Sequence, residues 1–163
     1  MLCKIDNYFR ILYRLSGYIA AIFLILVAIF ILTGIASRIF GFYIRGLAEY
    51  SGYCMAASSF LALAYTFGEK GHIRITLFLE KSSKNIRKFL ELWCLSIATF
   101  FSGFLSFYFV KMLMVSFKFQ ERSEGADEIL IWIPQVSVAI GSTIFFICVL
   151  HNFILLILNK NNS

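Results

Sequence analysis

The sequence predicts an all-α integral membrane protein with four transmembrane helices and both termini cytoplasmic. Three observations predict it. Hydrophobic residues fill 60% of the 163 positions and charged residues 15%, against about 45–50% and 25% in soluble domains. The few charges punctuate the chain instead of covering it. Between them lie four long apolar stretches, and a bilayer crossing takes roughly 20 apolar residues per helix. A soluble chain would need polar residues for its surface. An ordinary soluble enzyme, a disordered tail and a basic nucleic-acid-binding domain are therefore excluded, and no nucleic-acid partner is expected.

The spans follow in order. Arg14 and Arg38 bound 23 uncharged residues, Leu15 to Ser37. Arg45 and Glu69 bound Gly46 to Gly68, where Glu49 is the one charge. Glu91 and Lys111 bound Leu92 to Val110. Glu128 and Lys160 bound 31 residues, Ile129 to Asn159. As one helix that last run would extend roughly 46 Å, too long for a core of about 30 Å. Pro134 resolves it, because proline suits the first turn of a helix and not its interior. Ile129–Ile133 reads as an interfacial lead-in and the span as about 134–158. Trp132 then sits at headgroup depth, where indoles are favoured. The first span is too long for the apolar core of a signal peptide and no clear cleavage site follows, so it reads as an uncleaved anchor. The expected spans are thus about 15–37, 46–68, 92–110 and 134–158, within a single domain over 1–163.

Lys and Arg set the orientation. The N-terminal segment, the middle connection and the tail hold ten, against five in the other two connections. The richer side should be cytoplasmic. The net charge of +6 then reflects this topology and attraction to anionic lipid headgroups. In the middle connection Ile86, Phe89, Leu90 and Trp93 share one helical face, with Lys84, Arg87, Lys88 and Glu91 on the other. Helix three should therefore begin near Lys84 as an amphipathic extension lying in the interface.

Few residues offer chemistry. Cys3, Cys54, Cys94 and Cys148 form no C-x-x-C pair, so they read as small packing residues rather than metal or redox ligands. A haem would need histidines facing one another at membrane depth. His151 lies in the fourth span, but His72 lies in the middle connection, and no cofactor is expected. Glu49 has two readings. An intramembrane carboxylate is a functional candidate by default. It also falls in the first turn of helix two, where the dipole favours an anion, with Arg45 four residues before it; this structural reading is favoured. Gly71-His72-Ile73-Arg74-Ile75 reads as a helix exit with a basic anchor. A carrier for a charged solute needs a polar midplane site, and a proton pump needs a relay of acids or histidines. Neither pattern is visible. The chain reads as a helical scaffold for a partner, not an enzyme.

Certain elements, taken in order, bear a family likeness. A short basic N-terminus leads into the first span. Glu49 opens the second, in Arg45-Gly-Leu-Ala-Glu49-Tyr. The exit Glu69-Lys-Gly71-His72-Ile73-Arg74-Ile75 looks like a "G-x-H-I-R-V" element. Leu130-Ile-Trp132-Ile-Pro134, with Gly141 following, opens the fourth span. On these residues the chain resembles the small permease subunit of tripartite ATP-independent periplasmic (TRAP) transporters, the DctQ-like family, over nearly its whole length. Thr76 departs from the pattern, standing where an acidic residue is common. The resemblance implies a bacterial inner-membrane protein beside a large permease subunit, which carries substrate and sodium sites and moves like an elevator. A periplasmic binding protein delivers an organic acid, and the outer connections, 38–45 and 111–128, face the side where it would dock. Arg45, Glu49, His72, Arg74, Trp132 and Pro134 are the candidate interface or structural residues, and membrane lipids are partners too. Two other classes compete: a small subunit of a haem- or quinone-linked redox complex, and a small multidrug-type exporter. The exporter usually has a membrane-embedded acid in its first span, and none is present. The transported substrate is not written in this chain.

Overall fold

The computed structural model describes residues 2–68, 84–123 and 128–160, and side chains over 8–68, 89–123 and 128–157. These residues form four helices: α1, Leu2–Ile39; α2, Leu47–Gly68; α3, Lys84–Phe119; and α4, Trp132–Lys160. Three are long and apolar enough to cross a membrane, over Tyr8–Ile39, Phe89–Phe119 and Trp132–Ile157. The second expected span coincides with α2, which does not reach that apolarity. Its 22 residues include Glu49 and many small or hydroxyl-bearing side chains.

The helices outrun the apolar stretches. With 38 residues, α1 extends about 57 Å, well beyond a hydrocarbon core of about 30 Å. It starts at Leu2, not near Leu15, and α3 continues past Lys111 to Phe119. Charges mark where the apolar layer ends, not where a helix ends. An α-helix satisfies its backbone internally, so it continues into the headgroup layer unchanged. At its other end α3 begins at Lys84, as the amphipathic pattern indicates. Phe89, Leu90 and Trp93 of that extension are exposed together.

Local chemistry stops the helices where they stop. Gly41 has φ 76°, and the Phe42 and Gly41 amides donate to the Ser37 and Arg38 carbonyls. This is a Schellman closure with glycine at its left-handed position. Gln120 does the same for α3 at φ 52°, with the Glu121 amide on the Ser116 carbonyl. The Ser116 hydroxyl also donates to Glu121 Oε2 at 2.8 Å. A short antiparallel ladder then closes the α3–α4 connection: Ser123 N donates to Ile129 O, and Ile131 N donates to Glu121 O. Pro134 is the third residue of α4, in the turn whose amides need no helical partner.

Small residues set the packing. Tyr13 lies over Gly68 and Tyr65 over Gly17, while the Ser58 hydroxyl donates to the Ala20 carbonyl at 2.9 Å. These contacts join α1 and α2 antiparallel. Gly141 meets the Phe60 backbone, Phe67 meets Phe145, and Cys148 Sγ meets the Ala64 carbonyl. These join α2 and α4 in parallel. Gly103 takes Phe146, and the Ser106 and Thr143 hydroxyls are 3.1 Å apart, joining α4 to α3. Close approach at glycine and serine suits helices that lack a hydrophobic drive to associate in lipid. The spatial order is α1–α2–α4–α3, and α1 and α3 share no packing interface among the described residues. The rings of Phe9 and His151 meet at 4.5 Å, tilted by 33°, so the start of α1 and the last third of α4 share one end.

Candidate partner-binding surface

The order α1–α2–α4–α3 makes α2 and α4 interior helices and leaves α1 and α3 as flanks. Ala57, Ser58, Leu61 and Ala64 of α2 are buried, as are Ala139, Ser142, Cys148 and Val149 of α4. In contrast, only 6% of the most apolar stretch of α1 is buried, and 11% of that of α3. The uncovered sides differ in character. On α1, Ile22, Ile25, Ile29 and Leu32 form an aliphatic stripe. On α3, Trp93, Phe100, Phe104 and Phe107 form an aromatic one. Spacings of three, four and seven put each set on one helical face.

At the end opposite Phe9 and His151, the α3–α4 connection is tied to α2. Tyr53 Oη lies 3.1 Å from Ser123 Oγ. Arg122 and Glu128 pair across the ladder at 3.6 Å, both exposed. The connection thus presents charges of both signs on a fixed backbone. Beside it, Arg38, Tyr43, Ile44, Leu47 and Glu49 line a groove of about 320 Å3 between the end of α1 and the start of α2.

The expected site residues fall at several places. Arg45 is exposed in the turn before α2, and Glu49 is half-buried in its first turn. Trp132 opens α4, half-buried, edge-on to Phe117 at 5.4 Å. Its indole N–H and Gln135 Oε1 are buried without a hydrogen-bond partner among the described residues. Pro134, half-buried, lies in the same turn, between the two. His72 and Arg74 lie outside the described residues. The structure brings Trp132 and Pro134 together and places Arg45 and Glu49 at the start of another helix.

Among the described residues, four helices with apolar flanks, and the Arg122–Glu128 pair between two of them, suit a membrane component that works beside others. A model of the family described as "Tripartite ATP-independent periplasmic transporters, DctQ component" matches residues 26–159. The chain belongs to the DctQ family. Among curated proteins none matches it. DctQ chains are components of transporters, not an enzyme family, and function in tripartite TRAP systems with a large permease and a binding protein. The chain is accordingly a membrane protein of transport.

Some of what shapes this DctQ surface lies beyond sequence reasoning. The Tyr53–Ser123 link joins residues 70 apart, and a hydroxyl pair leaves no periodic signal. The flank identity of α1 and α3 depends on which helix each glycine meets. Gly17, Gly103 and Gly141 are visible in the sequence as possible close-approach points, but their partners are not.

Proposed function

We propose that this DctQ chain is the scaffold subunit of a TRAP-type secondary transporter, holding the large permease subunit in a bacterial inner membrane. In this role it enlarges the static frame of a permease that takes up an organic acid with sodium. The observation that carries the reading is the pair of uncovered apolar flanks, α1 and α3, on helices whose membrane stretches hold no Asp, Glu, Lys, Arg or His over 15–37 and 92–110. Such helices have surface for a partner and for lipid but no groups to coordinate a charged solute.

In this arrangement the whole chain is one domain and all four helices cross the bilayer. Helix α2 tolerates lower apolarity because it lies between α1 and α4 and turns less surface to lipid. Both termini are cytoplasmic, supported by the ten-to-five Lys and Arg bias. The Glu121–Ile131 connection then faces the periplasm, where a binding protein docks transiently. His72 and Arg74 sit at the cytoplasmic interface, and H72A/R74A protein should assemble poorly; normal assembly and uptake would reject that role. Arg45, Glu49, Trp132 and Pro134 fix helix starts on the outer side.

The test is reconstitution. The purified chain alone in liposomes should give no sodium-driven uptake of C4-dicarboxylates, keto-sugar acids or sialic acid. Uptake by the chain alone would overturn the scaffold assignment.

A further inference from the structure

The groove between the end of α1 and the start of α2 takes its two charges from opposite kinds of helix end. Arg38 stands in the last turn of α1, where the helix dipole favours a cation. Glu49 stands in the first turn of α2, where the dipole favours an anion. Gly41 and Gly46, at φ 76° and 78°, turn the chain back between the two helices. Both charged residues therefore line the same groove of about 320 Å3, together with Tyr43. Its depth follows from the sequence. Arg38 is the first charge after 23 uncharged residues, enough to cross the hydrocarbon core, so this end lies at the level of lipid headgroups. One wall is apolar. Ile31 and Ile35 of α1 line the groove and are exposed. Leu24, two turns further along that face, is exposed as well.

We propose that this groove holds a zwitterionic phospholipid with a primary ammonium, phosphatidylethanolamine. Arg38 supplies a forked, permanently charged donor suited to phosphate oxygens. Glu49 accepts hydrogen bonds from the ammonium, and the Tyr43 phenol can donate to a phosphate oxygen. From there Ile35, Ile31 and Leu24 form a track for an acyl chain towards the bilayer centre.

The pair of charges selects the headgroup. A lipid that is only anionic would meet Arg38 but set its charge against Glu49. The quaternary ammonium of phosphatidylcholine has the right charge and no N–H to give the carboxylate. Neither residue needs to be unpaired for this. A guanidinium has several donors and a carboxylate several acceptor positions, so each can hold a lipid group beside a protein partner. The site requires only that this end of α1 and α2 lies at headgroup depth, and it stands or falls separately from the scaffold role.

Native mass spectrometry of the full chain in detergent tests it, with phosphatidylethanolamine, phosphatidylcholine and phosphatidylglycerol as probes. Wild-type protein should retain phosphatidylethanolamine over both others. R38Q should weaken its retention about fivefold, the weight of one cation near a lipid surface. E49Q should bring phosphatidylethanolamine and phosphatidylcholine to equal retention. I35W fills the acyl track without touching either charge, so it should lower retention of phosphatidylethanolamine even if E49Q folds poorly. R122Q, on the other outer connection, should behave as wild type. Soluble phosphoethanolamine should not displace the lipid. Equal retention of the three lipids by wild type, unchanged retention in R38Q and I35W, an equal loss in R122Q, or displacement by phosphoethanolamine would overturn the proposal.

Discussion

Tyr53 Oη and Ser123 Oγ stand 3.1 Å apart, joining the interior helix α2 to the α3–α4 connection. Beside that contact, Arg122 and Glu128 pair on backbone that the Ser123–Ile129 and Ile131–Glu121 hydrogen bonds tie together. Y53F removes the hydroxyl and leaves the ring. Amide exchange in residues 121–131 should speed up, while the helices keep their protection. The loss of stability should be about 1 kcal/mol. Unchanged exchange in the connection would show that the contact does not hold it.

The close approach of α4 to α2 depends on Gly141. A Cβ there would lie 2.9 Å from the Phe60 carbonyl carbon, which is backbone and cannot swing aside. G141A should lower stability by about 1–3 kcal/mol, as overpacking does. Gly52, in the same membrane protein, has nothing within 4 Å of its virtual Cβ. G52A should be neutral or stabilise α2 by up to about 1 kcal/mol through helix propensity. Thermal unfolding of the two variants in one detergent checks the pair; equal melting temperatures would contradict the packing described.

The two flanks can be separated by a buried charge. I25D places a carboxylate on the aliphatic face of α1, and F104D places one on the aromatic face of α3. An unpaired charge in an apolar interface costs several kcal/mol. One of the two variants should fail to co-purify with the large permease subunit while still inserting in the membrane. If both co-purify as wild type does, neither flank is the contact.

Charges on the outer connection should matter for docking. Reversing Arg122 and Glu128 singly changes the surface offered to a binding protein without touching the helices. Rim charges act mainly on association rate and its salt dependence. Association of the binding protein with the assembled transporter should therefore slow and lose part of its salt sensitivity. No change in either variant would remove this connection from the docking surface.

The helices were legible in the sequence because charges are so rare that each one punctuates. Their ends were not. Arg14 and Lys111 close an apolar stretch, yet α1 and α3 pass through both residues. Hydropathy reports the membrane boundary, whereas helix termination is decided by left-handed residues such as Gly41 and Gln120. Pro134 was readable because its missing amide confines it to a first turn. The order α1–α2–α4–α3 was not, since it depends on Gly17 meeting Tyr65 and Gly141 meeting Phe60, pairings that no periodicity in a single chain specifies. Of the candidate residues, Glu49 stands in the first turn of α2, and Trp132, read as part of a lead-in, opens α4 itself.

A scaffold subunit must hold to a larger membrane subunit. Co-expression with the large permease subunit, followed by size-exclusion chromatography in mild detergent, tests it most directly. A stable joint peak is expected, with a chain that aggregates or degrades when purified alone. A monodisperse, thermally stable chain that never elutes with the permease would contradict it.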